Sequence, residues 1–424
     1  LYMECFFEEG IGVEKNLDES FRLRKLSADQ DYVLAICSVG YYYNRGFGCT
    51  VNPSLAISYY QKAADKGFSV AQYNLGLQYQ KGDGVIKDLK IAFYWFELSA
   101  LQGYISSQYK LGTCYEKGFG VEKQPTLAFE WYKKTADRGD SDGQYAIGWC
   151  YIYGKGVERN VEEGLKWYKK SADQGFTKAQ YYLAEHYISS NDILRQNEGY
   201  ELKRKLAEEN YPKAQYSVGL QYFVGDRVIM NEEEAIKWFK LSSDGGYWKA
   251  SQMLSRFYYY GRLLNQDKNE ALRLLDQHYN EGSPGLKYLF GLSCIQDKDQ
   301  PSNQKRGYES FVHLNSKHDV AYYDVKYMLG LCYEYGIGVE RNESKAFSFY
   351  SQSNHHNYPP AQYSLARCYE EGLNNRLNLT ESKRLYELSF NQGNIDSKLK
   401  SQEFEEDNTK RIKMSSKTMK YEFI

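Results

Sequence analysis

The chain has 424 residues, of which 42% are hydrophobic, and its 54 basic and 55 acidic side chains give a formal net charge of −1. This composition excludes global disorder and argues against a dedicated nucleic-acid binder, which usually has an excess of basic residues. The longest weakly polar stretches, residues 33–43 and 145–154, are far shorter than the roughly 18–20 residues of a bilayer-spanning helix. The unusual figure is 43 tyrosines against 7 prolines, and a bias of this size is best explained by repetition.

Residues 1–32 are predicted to be a partial first repeat. The chain opens with Leu1 instead of a start methionine, so we expect a piece of a longer protein. The lack of a visible signal peptide therefore carries no weight.

From residue 33 onward, a small residue that usually follows an apolar one recurs every 36 residues, apart from one interval of 35 and one of 39. The ten small positions are Gly40, Gly76, Gly112, Gly148, Ala184, Gly219, Ser255, Gly291, Gly330 and Ala366. A constant period of this length is typical of stacked structural repeats. The sequence therefore predicts one repeating array and not two or three globular domains.

Each unit is predicted to be a helical hairpin. Tyrosine recurs three residues before and three residues after the small residue, as in Tyr109 and Tyr115, and a G-x-G turn such as Gly118 and Gly120 follows. A second aromatic pair, such as Trp131-Tyr132, lies in the second half of the unit. Because apolar positions in both halves are three and four residues apart, we expect a helix A and a helix B, with glycines ending helix A.

Proline positions support these helix starts. Pro212, Pro284 and Pro359 are predicted at the first turn of helix A, and Pro53 and Pro125 at the first turn of helix B. Proline is tolerated there because its missing N–H would have no helical partner. No β-strand is predicted anywhere, so the fold class is all-α.

Two units depart from the pattern and are the expected places for a kink. Residues 189–192 replace the G-x-G turn of the fifth unit, and residues 284–319 form a longer eighth unit in which 296–304 is interpreted as a polar loop. The predicted organisation is a partial repeat at 1–32, repeats 1–7 at 33–283, a degenerate repeat 8 at 284–319, repeats 9–10 at 320–394, and a capping helix with a basic, disordered tail at 395–424.

The repeat unit resembles a known family. Residues 71–85 read A-Q-Y-N-L-G-L-Q-Y-Q-K-G-D-G-V, and residues 167–175 read W-Y-K-K-S-A-D-Q-G. Both resemble the Sel-one-like repeat, a relative of the tetratricopeptide repeat, and the resemblance covers about residues 1–394. It implies a right-handed α-solenoid that acts as an adaptor or scaffold. Members of this family act in ER-associated degradation, as regulators of fungal chitin synthase and as arms of protein kinases.

No motif supports an enzyme, so no catalytic, metal or cofactor residue is predicted. The G-x-G turns lie between helices and lack the lysine of a phosphate loop, and the six histidines form no H-E-x-x-H motif. The eight cysteines contain no CxxC pair. Four of them, Cys114, Cys150, Cys332 and Cys368, follow the small residue by two positions and are predicted to be buried thiols.

A binding surface for other proteins or peptides is the favoured function. Helix A lines the concave face in solenoids of the resembled kind, and exposed aromatic and arginine side chains are typical interface anchors. The candidate partner-binding residues are Trp149, Tyr153, Arg256, Tyr259, Tyr260, Arg367 and Glu370. The competing interpretation is that such residues only pack between repeats.

The sequence thus predicts a non-enzymatic scaffold with protein partners, no nucleic acid and no membrane span in this segment. Its setting would be ER-associated degradation or a signalling complex. The alternative is the regulatory arm of an enzyme such as a protein kinase, or a chitin-synthase regulator, with the catalytic part outside this chain. The compartment is not fixed, although the cytoplasm is preferred to the ER lumen.

Overall fold

The computed structural model describes residues 14–280, 282–297, 300–316, 323–373, 377–397 and 400. Over these residues the regular elements are α-helices, and no β-strand occurs among them. The predicted all-α fold of paired helices with a period of about 36 residues is confirmed. Of the predicted capping helix and basic tail at 395–424, residues 395–397 and 400 are helical, and residues 398–399 and 401–424 lie outside the described residues.

The chain divides into two compact units, residues 1–206 and 207–424. The first unit contains helices α1 (Leu17–Asp29), α2 (Val33–Arg45), α3 (Pro53–Asp65), α4 (Ser69–Lys81), α5 (Leu89–Leu101), α6 (Ile105–Lys117), α7 (Pro125–Ala136), α8 (Ser141–Tyr153), α9 (Val161–Asp173), α10 (Thr177–Ile188) and most of α11 (Ile193–Glu208). Even-numbered helices are helix A of a repeat and odd-numbered helices are helix B. From α1 to α10, helices that are consecutive in the chain pack against each other.

The second unit has the same alternation. It contains α12 (Pro212–Val224), α13 (Glu232–Asp244), α14 (Trp248–Tyr260), α15 (Lys268–Gln277), α16 (Pro284–Ile295), α17 (Pro301–Asn315), α18 (Tyr323–Tyr335), α19 (Glu343–Asn354), α20 (Pro359–Glu371) and α21 (Leu379–Asn391). The degenerate eighth repeat is therefore also a helix pair, α16 and α17.

The small residue of helix A allows a close approach of helix B. A Cβ atom added at Gly112 would lie 2.7 Å from the ring of Tyr132, and one added at Gly76 would lie 2.7 Å from the ring of Phe96. Both rings are fully buried. The small residue thus makes room for the second member of the aromatic pair, which fills the space between the helices.

The two glycines of the G-x-G turn have different structural roles. Gly118 has a φ of +76° and its N–H donates to the carbonyl of Cys114, so it ends α6 as predicted. Gly120 also has a positive φ, but a Cβ atom there would lie 2.0 Å from the carbonyl oxygen of Leu89 in the preceding repeat. The second glycine therefore allows close packing between neighbouring repeats. The sequence did not indicate this role.

Proline marks helix starts as predicted, and at one more place. Pro53, Pro125, Pro212, Pro284 and Pro359 all lie at the first turn of a helix. The prediction of a polar loop at 296–304 is wrong in its second half, because α17 begins at Pro301. The polar composition hid this start, since proline at a helix N-terminus and proline in a loop look alike in sequence.

The cysteines are free thiols in the described part of the chain, and Cys5 lies outside it. Cys114, Cys150, Cys332 and Cys368 are all buried, as predicted. Burial raises the pKa of the Cys114 thiol to about 11 and that of the Cys150 thiol to about 12. These thiols fill the core and are protonated at neutral pH.

Candidate functional site: the exposed side of the A helices

One row of side chains runs along each helix A at positions three before, one after and five after the small residue. These positions are four residues apart and so lie on the same side of the helix. We call this row the A-face column. In α8 it consists of Tyr145, Trp149 and Tyr153, and in α18 of Tyr327, Leu331 and Tyr335.

The last member of the column is an exposed tyrosine in three helices. Tyr153 is 50% exposed, Tyr260 is 64% exposed and Tyr335 is 57% exposed. Each lies at the last residue of its helix, immediately before the turn. An aromatic ring presented to solvent at the same repeat position is a typical anchor for a protein partner.

The structure brings Trp149 and Tyr153 together in the first unit. Their ring centroids are 5.8 Å apart. Trp149 is only partly exposed, because it packs against the buried clusters around Cys150 and Tyr168. Of these two candidates, Tyr153 is the exposed one, and Trp149 also contributes to the core.

Arg256 and Tyr260 are both exposed in the second unit, but Tyr259 is not. Tyr259 is 6% exposed and packs with Ala271 and Leu275 of α15. The placement of Tyr259 on the free surface is therefore wrong. Its position, four residues after the small residue, points toward helix B, and a bulky ring there becomes part of the core.

The same inward position holds a glutamate in three other repeats. The hydroxyl of Tyr132 donates to Glu116 at 2.7 Å, that of Tyr350 donates to Glu334 at 2.5 Å, and that of Tyr386 donates to Glu370 at 2.7 Å. These pairs link helix B to helix A within one repeat.

Glu370 therefore has a structural role in its repeat. Besides the Tyr386 hydroxyl, it has Lys400 Nζ at 3.4 Å. This engagement makes it a weaker candidate for a partner contact than the exposed tyrosines. The repeat spacing was the available signal, because the three glutamates all precede their tyrosine by 16 residues.

Arg367 lies in the A-face column of α20 and is also internally paired. Its guanidinium forms an ion pair with Glu334 and donates to the hydroxyl of Tyr335 at 3.1 Å. Burial lowers the pKa of Arg367, but the Tyr335 hydrogen bond and the Glu334 charge outweigh it, so the pKa lies above its ordinary value. The guanidinium is a fixed, charge-compensated group at the edge of the A-face.

A cleft of about 510 Å³ lies beside Arg367. Its walls are the A-face columns of α18 and α20, and its end is formed by the segment after α21. The lining residues are Tyr327, Leu331, Tyr335, Pro359, Pro360, Tyr363, Ser364, Arg367, Gln392, Gly393, Asn394 and Asp396. Of the predicted site residues, only Arg367 lines this cleft.

Sequence reasoning missed the tyrosines of the cleft. Tyr335 occupies the same repeat position as Tyr153 and Tyr260, so the period could have identified it. Tyr327 and Tyr363 were assigned to packing alone, and they do contact Tyr350 and Tyr386 of helix B. No sequence signal pointed to Asp396, since it lies beyond the last repeat.

The described residues contain no group of three or more histidine, cysteine, aspartate or glutamate side chains placed to hold a metal ion. Within the same part of the chain, no helix is both long and apolar enough to cross a bilayer.

Paired helices of constant period define a solenoid-like helical-repeat protein. The model of the Sel1 repeat matches ten segments: 5–32, 33–68, 69–104, 105–140, 141–176, 177–211, 212–247, 248–283, 325–357 and 359–394. The chain belongs to the Sel1 repeat family, the family that its sequence resembles. The residues between 283 and 325, which include the predicted degenerate repeat, are not matched.

One similar solved structure agrees with this assignment. A protective antigen of uropathogenic Escherichia coli with an SLR fold is 26% identical, with a TM-score of 0.52, and the match covers 96% of this chain and 87% of that one. A Sel1 repeat protein from Oxalobacter formigenes is 30% identical over 59% of this chain and 89% of that one, with a TM-score of 0.36. An immunity protein from Pseudomonas aeruginosa is 21% identical over 50% and 81%, with a TM-score of 0.40.

The chain has no significant match among curated proteins. Proteins with Sel1 repeats are generally protein-binding scaffolds and are usually non-catalytic.

Proposed function

We propose that this chain is a non-catalytic adaptor that binds a partner protein through the exposed residues of its A-face columns. The observation that carries the proposal is the repeated exposure of an aromatic ring at the end of helix A, at Tyr153, Tyr260 and Tyr335. Exposed Arg256, one turn before Tyr260, adds a cationic side chain to the same row. Tyrosine and arginine carry a large share of the binding energy in protein interfaces.

The experiment is affinity capture with the tagged chain and a variant that carries Tyr153→Ala, Arg256→Ala and Tyr260→Ala. These side chains are exposed, so we expect an unchanged circular dichroism spectrum and thermal midpoint. Trp149 is left intact because it packs in the core. Quantitative mass spectrometry should show at least roughly tenfold less of one reproducible partner with the variant, since several anchors are lost together.

A control variant removes exposed side chains of helix B instead, with Tyr94→Ala, Lys240→Ala and Leu241→Ala. All three are exposed, and none lies on a helix A. We expect full partner capture by this variant. Equal capture by the wild type and both variants would refute the A-face assignment.

The finer alternatives differ in the identity of the partner. Components of ER-associated degradation or of a signalling complex would support the corresponding adaptor, whereas a captured kinase or chitin synthase would support a regulatory arm. The same mass spectra decide between them, because each alternative names a different class of protein.

A further inference from the structure

The cleft between α18 and α20 has an aromatic wall. Tyr327 and Tyr335 lie at opposite ends of the A-face column of α18, and Tyr363 lies on α20. With a rise of 1.5 Å per residue, Tyr327 and Tyr335 are about 12 Å apart along the helix axis. An extended chain rises about 3.3 Å per residue, so about three to four residues of a peptide fit along this wall.

The charged residues that line this cleft are Arg367 and Asp396. Arg367 is paired with Glu334 and also lies near Glu371. Asp396 lines the cleft, is exposed, and makes no ion pair among the described residues. The Arg367 charge is thus compensated by Glu334, and the uncompensated charge that lines the cleft is the negative charge of Asp396.

A ligand with a free carboxylate would be disfavoured at this cleft. It would meet Asp396, while the charge of Arg367 is already balanced by Glu334. A cationic side chain would gain from the uncompensated carboxylate of Asp396 and from the ring of Tyr335, which is 57% exposed.

We propose that this cleft binds an extended basic peptide segment of a partner protein, with a lysine or arginine beside Asp396 and Tyr335 and an aliphatic side chain against Tyr327 and Leu331. This inference rests on the proposed function, because it assigns a partner chemistry to one part of the A-face. Of the candidate partner-binding residues predicted from the sequence, only Arg367 belongs to this site.

The test uses the full chain and three fluorescein-labelled nonapeptides in fluorescence anisotropy. The peptides repeat alanine, lysine and leucine, or carry glutamine or glutamate in place of lysine. We expect the lysine peptide to bind at least about tenfold more tightly than the glutamate peptide, and less tightly as the salt concentration rises.

Variants locate the binding. Asp396→Asn should weaken binding of the lysine peptide roughly two- to fivefold, as for an exposed ion pair, and leave the glutamine peptide unaffected. Tyr335→Ala should weaken both peptides roughly fivefold or more. The matched control is Asp83→Asn, which removes the same charge from an exposed turn that lies outside the cleft.

Equal binding of the lysine and glutamate peptides, no binding of any peptide, or unchanged binding after Asp396→Asn would overturn the inference. The partner capture with the Tyr153, Arg256 and Tyr260 variant does not involve the cleft residues. If capture depends on those residues while the peptides fail, the adaptor function stands and only the basic-peptide site is lost. If the peptides bind as expected but capture is unaffected, the adaptor surface at Tyr153, Arg256 and Tyr260 is wrong and the cleft remains.

Discussion

The hydroxyl of Tyr350 donates a 2.5 Å hydrogen bond to the carboxylate of Glu334, which also pairs with Arg367. This buried contact joins α19 to α18 and connects the interior of the repeat to the cleft. The equivalent hydroxyl of Tyr168 is buried without a hydrogen-bond partner among the described residues, because Ile152 occupies the position of the glutamate. Tyr350 and Tyr168 therefore allow a comparison of the same repeat position with and without the hydrogen bond.

We expect Tyr350→Phe to lower the free energy of unfolding by about 1–3 kcal/mol, because a buried carboxylate loses a hydrogen-bond donor. Tyr168→Phe should be neutral or slightly stabilising, because it removes a hydroxyl that is buried without a partner. Urea denaturation of both variants measures the difference. Equal destabilisation by the two changes would contradict the role of the Tyr350–Glu334 pair.

The second glycine of the turn gives another matched comparison. Gly120→Ala places a Cβ atom against the Leu89 carbonyl at a positive φ, whereas Gly139→Ala has a φ of +84° with no atom within 4 Å. Strain alone should cost about 1 kcal/mol at Gly139, and the added clash should cost several times more at Gly120. Similar thermal midpoints for the two variants would show that the repeats do not depend on this close contact.

From the burial of the thiols we predict how the free energy of unfolding changes at high pH. The pKa of the Cys150 thiol is about 12 in the folded chain, above its ordinary value of 9.0, because of burial and the nearby charge of Glu116. Below pH 9 both states keep the proton, but as the pH rises from 9 toward 12 only the unfolded chain releases it. The free energy of unfolding should therefore be constant up to about pH 8.5 and then fall. Each such thiol should account for about 1–2 kcal/mol of the loss by pH 10.5.

The contribution of one thiol is isolated with Cys150→Ala. Denaturation at pH 8 and pH 10.5 should show a smaller loss of stability for this variant than for the wild type. Buried tyrosines such as Tyr132, whose pKa burial also raises, act in the same direction in both proteins and cancel from the comparison. An identical pH dependence of the two proteins would mean that Cys150 is not protected in the folded state.

Most of the fold could be predicted because each repeat carries the same short-range requirements. Glycine ends helix A at Gly118, proline starts helix B at Pro125, and a small residue faces a large ring at Gly112 and Tyr132. Such requirements are local in sequence or recur at a fixed offset. The start of α17 at Pro301 was missed because that repeat has a longer connection and a polar composition.

The candidate site was less predictable, since exposure depends on which neighbour covers a side chain. Tyr259 and Tyr260 are adjacent and identical in kind, yet the first is buried against α15 and the second is open to solvent. A rotation of about 100° per residue on a helix separates them, and sequence alone did not fix the direction of the core at that repeat. Arg367 was found as a charged surface residue, but its pairing with Glu334 comes from another repeat.

By itself, the sequence determined the all-α class, the period, the helix boundaries of most repeats, the architectural role of the tyrosines and the family. These follow from local capping, helical periodicity and the repetition of one pattern. Only the tertiary structure decided which tyrosines are exposed, why the second turn glycine is required, and that Tyr327, Tyr335, Arg367 and Asp396 border one cleft. The physical reason is that these properties arise between repeats and between helix faces, where atoms far apart in the chain set exposure, hydrogen bonding and charge balance.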